Sequence, residues 1–182
     1  MAVVASFENS PETWQRPDWR LMQNGFVSLF CGKQVFTEAR TELASLGYLV
    51  VNLDASEWDT TNAALLGFAR AFDFPDYYGK NMNALVDCLA DVATYAYGSD
   101  PTATGTVVAI DRLDAFVARD SELGWSLLDI LADTGRQALL IGHRFIVIAR
   151  SEDPRLMLRP VGGSSVMWNP REFRESDRMP HA

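Results

Sequence analysis

Asp87 and Asp91 stand four positions apart, the spacing that puts two carboxylates on one face of a helix. Asn83 precedes them by one turn, and Lys80, Gly79 and the paired tyrosines Tyr77 and Tyr78 come just before. Two such acids can serve as general acid and base, or form an acidic surface that meets a cationic partner. On an i, i+4 helix face such acids are more often a solvated face than a catalytic dyad. Other chemistries find little here. The two histidines, His143 and His181, have no second histidine or cysteine at ligand spacing, which argues against zinc or iron. His143 reads as a solvent-facing residue at a strand start. There is no Gly-x-Gly-x-x-Gly, no phosphate loop and no Gly-x-Ser-x-Gly; Gly162-Gly163 reads as a turn. The reading is therefore a binding protein and not an enzyme, with no metal and no cofactor.

The run from Phe74 to Leu89 supplies the element that would position these groups. Pro75 fixes its own backbone, two tyrosines follow, and Gly79 frees the chain before a helix. At about 100° per residue, Met82, Leu85, Val86, Leu89 and Ala93 form the expected core stripe. Lys80, Asn83, Asp87 and Asp91 fall opposite. Such a helix offers carboxylates and an amide to something outside the domain.

The sequence Pro75-Asp76-Tyr77-Tyr78-Gly79, then Asn81, Ala84-Leu85 and Asp87-Cys88-Leu89, resembles the signature of the barstar family, intracellular protein inhibitors of secreted ribonucleases of the barnase type. A weaker pattern extends the resemblance to roughly residues 48–150. The resemblance implies that Asp87 is the helix carboxylate that stands in for a substrate phosphate, that Tyr77 packs in the nuclease cleft, and that loop backbone at Gly79 and Asn81 meets the enzyme. Tyr78 is expected in the core, and local roles remain open for the others: Gly79 in the turn, Asn81 as a helix cap, Asp87 as a merely exposed acid. The chain departs from the family at three contact positions. Asn83 replaces an acidic residue, Val86 an aromatic one and Lys80 another acid. A further acidic contact has its counterpart in Asp133, with Asp129 as a rival.

Charge agrees with this direction. Of the net −8, residues 51–100 carry −6, with eight acidic against two basic residues. An acidic zone repels nucleic acid and attracts a basic partner. The resemblance implies that this basic partner is a ribonuclease or related nuclease toxin, and the expectation is no direct nucleic-acid or membrane contact and a monomeric free state. The alternative is a barstar-like interaction module whose partner is not a ribonuclease; a distant third is a small α/β enzyme. With 48% hydrophobic and 22% charged residues the composition is that of an ordinary globular domain. No signal-peptide pattern opens the chain, and Cys31 and Cys88 read as reduced thiols, so the expected location is cytoplasmic.

The remaining segments read as an open, mainly parallel α/β sheet of about four strands flanked by helices. Residues 1–25 form an irregular arm. Residues 26–47 add a β-α unit, a strand at Phe26–Cys31 and a helix from Thr37 to Leu46, with that strand expected parallel to Tyr48–Leu53. The barstar-like domain then runs to 150, through a helix to Ala71, the signature helix, strands at Thr106–Ile110 and Arg144–Ala149, and a helix between them that continues past Gly135. Residues 151–182 form a C-terminal extension, in which Leu156–Leu158 and Ser165–Trp168 are candidate edge strands.

Overall fold

The computed structural model describes residues 7–179. Five parallel strands form one sheet: β1 Val27–Phe30, β2 Leu49–Asp54, β3 Gly105–Asp111, β4 Arg144–Arg150 and β5 Met167–Trp168, in the spatial order β2-β3-β4-β1-β5. Eight helices accompany them among the described residues: α1 Pro11–Gln15, α2 Pro17–Met22, α3 Lys33–Ser45, α4 Thr61–Ala71, α5 Met82–Ala93, α6 Leu113–Arg119, α7 Ser121–Leu140 and α8 Glu175–Arg178. The fold is α/β with helices on both faces of an all-parallel sheet.

The sheet's first face packs on α4–α7. Phe68, Leu85, Leu89, Phe116, Leu127 and Leu131 meet Val108, Ile110, Phe145 and Val147 there. The second face is smaller and comes largely from the N-terminal region: Leu21, Phe30, Phe36 and Leu43 cover Val107, Ala109, Ile146 and Ile148. Strands β3 and β4 are thus apolar on both faces, as buried parallel strands must be.

Strand β1 does not lie beside β2 as expected. It pairs in parallel with β4, Val27 opposite Val147, and carries β5 on its other side. Burial explains the choice. All four β1 residues are buried, which suits an interior position, whereas β2 exposes Leu49 and Asn52 and takes the edge. Helix α3, about 20 Å long, spans the three strand spacings from β1 to β2, roughly 14 Å.

The N-terminal region is not irregular either. Ser10 caps α1, accepting from Thr13 N at 3.2 Å, and prolines occupy the first positions of both α1 and α2. Helices of five and six residues are too short to show a period. Asp18, fully buried, fixes them to the sheet: it accepts from Arg16 Nε (3.0 Å) and from the Tyr48 hydroxyl (2.7 Å), with Arg144 at 3.7 Å. Burial alone pushes the Asp18 carboxyl up, but the bonds from Arg16 and Tyr48 outweigh it and hold it below the usual range.

Only Met167–Trp168 of the two candidate edge strands forms. The C-terminal extension instead crosses α7: Trp125 Nε1 donates to Pro160 O at 2.8 Å and Gly162 N donates to Asp129 at 2.7 Å. Glu172, buried, then accepts from Cys31 N (2.9 Å) and Gly32 N (2.6 Å), which ties the C-terminal extension to the turn just ahead of α3.

Candidate functional site

Helix α5 begins at a side-chain cap. Asn81 Oδ1 accepts from Ala84 N at 2.9 Å, and its amide donates to Gly79 O at 3.2 Å. The Asn81 side chain is therefore committed to the cap, the local role left open from sequence. Gly79 serves the same turn. Its backbone is not left-handed, but a Cβ there would sit 3.0 Å from Asn81 Nδ2 and crowd the cap. The left-handed residue is Lys80, with φ of 51°.

Leu85, Cys88, Leu89, Val92 and Ala93 are the buried face of α5. Val86 is not among them. The centre of the buried arc puts Val86 on its flank, roughly 90° away, and there it is 41% exposed. Met82 is half-buried against the core. The outward arc is thus Asn83, Val86 and Asp87, all exposed. Ahead of it the loop displays Asp76, Tyr77 and Lys80, with Tyr77 79% exposed. Tyr78 turns inward against Phe74, ring centroids 5.0 Å apart. Burial pushes its phenol up to about 12.

The acids divide into two groups. Asp76 and Asp87 have no hydrogen bond or ion pair among the described residues, and sequence reading passed over Asp76, whose only signal was its place in the acidic loop. Asp91 is half-buried and accepts from the Tyr97 hydroxyl at 3.3 Å. Burial, with Cys88 and Asp91 nearby, holds the Tyr97 phenol far above its usual range. Asp133, on α7, is paired with Arg136 one turn on, and its rival Asp129 holds Gly162. The structure therefore brings Tyr77, Lys80, Asn83 and Asp87 together on one exposed loop–helix surface. It gives Asp91 and Asp133 internal partners.

Behind this surface the end of α5 is fastened to the sheet by His143. That residue is fully buried, not solvent-facing: Nδ1 lies 2.8 Å from Ala93 O and Nε2 lies 2.9 Å from Thr106 Oγ1. Tyr95 stacks on the ring at 4.2 Å. A carbonyl can only accept, so Nδ1 carries the hydrogen and Nε2 accepts from the threonine hydroxyl. Its position at the strand start hid this, since nothing local announces the two distant partners.

An exposed tyrosine, a free carboxylate one helical turn beyond a neutral amide, and a rigid cap suit occupation of a partner's polar cleft. The family model described as Barstar (barnase inhibitor) matches residues 48–150, more than half the chain. The chain belongs to the Barstar family. The match begins just before β2 and ends with β4, so it takes in the loop, α5 and α7, while β1, α1–α3 and β5 lie outside it. No curated protein matches the chain. Family membership carries a protein-binding role resembling that of a barnase inhibitor. Among the described residues no group of histidine, cysteine and carboxylate side chains is placed to hold a metal, and no helix is long and apolar enough to cross a membrane.

Proposed function

We propose that this protein is an intracellular inhibitor of a small basic ribonuclease or related nuclease toxin, acting as a stoichiometric plug. The observation that carries the reading is Asp87: an ionisable carboxylate, exposed and without an internal partner, on the outer arc of a capped helix within the family match. In a basic cleft it would take the place of a substrate phosphate, with Tyr77 filling the cleft beside it. The −6 carried by residues 51–100 supports fast encounter with a cationic partner.

The test is titration of the protein into small basic ribonucleases, barnase among them, with RNA cleavage as readout. Activity should fall to zero at one inhibitor per enzyme. Asp87→Ala should weaken inhibition more than tenfold, because cleft cations lose their counter-charge; this magnitude is taken over from the barnase–barstar pair, where such couplings are measured. Asn83→Ala should cost less, since a neutral amide makes weaker hydrogen bonds to cations than a carboxylate does. Full ribonuclease activity at tenfold excess of inhibitor across the panel would leave only the reading in which the partner is not a ribonuclease.

A further inference from the structure

Four non-glycine residues among those described have a left-handed backbone: Asp73, Lys80, Tyr95 and Arg112. Such a conformation costs an L-residue about 1–2 kcal/mol relative to glycine, so each invites the question of what its side chain does. Asp73 and Tyr95 close helices. Phe74 N bonds back to Ala69 O and Ala96 N to Asp91 O, both at 2.9 Å, and Tyr95 also stacks on His143. Arg112 is locked by its ion pair with Asp54. Lys80 shares with Asp73 an exposed charge that has no ion pair among the described residues, but Lys80 alone of the four stands on the exposed loop–helix surface, between Tyr77 and Asn83 in sequence. Its backbone turns the chain into the Asn81 cap, a task glycine performs without strain, so a charged side chain is presented there at a backbone cost.

We infer that Lys80 is a specificity determinant: it selects a partner whose otherwise cationic surface places a carboxylate opposite it. This rests on the reading of the loop–helix surface as the interface. The charge pattern of that surface is mixed. Asp76 and Asp87 are free anions, Asn83 between them in sequence is neutral, and Lys80 is an exposed cation three residues on from Tyr77. A wholly basic cleft would meet Lys80 with like charge, and like charges juxtaposed across an interface are strongly disfavoured. A cleft with one acid at that point would accept it. The Asn81 bonds to Ala84 and Gly79 fix the backbone point from which the Lys80 side chain leaves the loop, which keeps the ammonium within the reach of its own stem.

The experiment measures dissociation constants for barnase with wild type, Lys80→Glu, Asp87→Ala and the double variant by isothermal titration. Lys80→Glu should bind barnase about tenfold more tightly than wild type. In a second arm, barnase variants with single cleft cations exchanged for glutamate are screened. One position should restore wild-type binding and fail to improve Lys80→Glu. Equal affinity of wild type and Lys80→Glu, while Asp87→Ala weakens both, overturns the selectivity inference and leaves the interface reading standing. Asp87→Ala without effect in either background overturns the interface reading itself, and no binding of barnase by any variant, Lys80→Glu included, overturns the selectivity inference.

Discussion

A histidine buried without a carboxylate bonded to it is a latent acid sensitivity, and His143 is one at the end of the helix that carries the candidate site. Desolvation lowers its pKa and the bond to Ala93 O raises it only in part, so the net shift is downward. The sign follows from linkage. Above about pH 6.5, the ordinary histidine value, His143 is neutral in both folded and unfolded chains and stability is unaffected. Below that, the unfolded chain takes up a proton that the folded one resists, so stability falls with pH until the lowered folded pKa is passed. Asp54 and Asp18 are held below the usual carboxylate range, and their losses come at lower pH, so the two windows separate. The melting temperature of the wild type should therefore drop between pH 7 and pH 5. His143→Gln, which keeps a donor and an acceptor without a titrating charge, should be less stable at pH 7 but nearly flat over that range. Differential scanning calorimetry decides it; parallel pH slopes for the two proteins would exclude His143 as the cause.

At the scale of elements, helix ends rather than helix bodies are where this sequence is least settled. Helix α4 ends on Phe72, and Asp73 follows with φ of 51°, the place where a glycine closes most helices without strain. Its carboxylate has no partner among the described residues, so the side chain contributes nothing that offsets the strain. Asp73→Gly should stabilise the protein by about 0.5–1 kcal/mol, a rise of roughly 1–4 °C in melting temperature for a chain of this size. Asp73→Val, which tolerates a positive φ poorly, should do the reverse. If both lower the melting temperature equally, the local backbone account is wrong. The same scale shows what was legible. Helices α4, α5 and α7 and strands β3 and β4 could be read from residue period, caps and apolar runs, because those signals are local. Gly135 does not end α7, because it lies where Phe26 packs so closely that a Cβ would meet its ring at 2.6 Å. The candidate surface is a linear run, Tyr77 to Asp87, so its residues could be nominated from sequence alone. What could not be read was the outcome of distant meetings, His143 with Ala93 and Thr106 and β1 with β4; the pairing of Asp133 with Arg136 one turn on and of Asp91 with Tyr97 six residues on is local, and its signal was in the spacing.

Across the whole molecule, the parts outside the family match complete the sheet. Strand β1 sits between β4 and β5 and gives carbonyls to both sides: Phe26 O accepts from Val147 N, Phe30 O from Ser151 N and Leu29 O from Asn169 N, each at 2.8 Å. Leu21, Phe30, Phe36 and Leu43, all buried, are the cover of the second face. Four such side chains contribute about 6–12 kcal/mol, at roughly 1.5–3 kcal/mol each, against a total stability that for ordinary domains is about 5–15 kcal/mol. A fragment of residues 48–150 would lose that cover, expose Val107, Ala109, Ile146 and Ile148, and leave β4 as an open edge. The fragment should therefore fail to fold cooperatively and should self-associate, although it contains the entire loop–helix surface. The milder variant Phe36→Ala in the full chain should cost about 3–5 kcal/mol yet retain the candidate interface, because Phe36 lies on the opposite face of the sheet from α5. Urea unfolding followed by circular dichroism, with sizing chromatography of the fragment, separates the possibilities. A fragment that unfolds cooperatively at the full chain's midpoint would make residues 1–47 and 151–182 dispensable additions. Loss of cooperativity would make them part of the core on which the candidate surface is built.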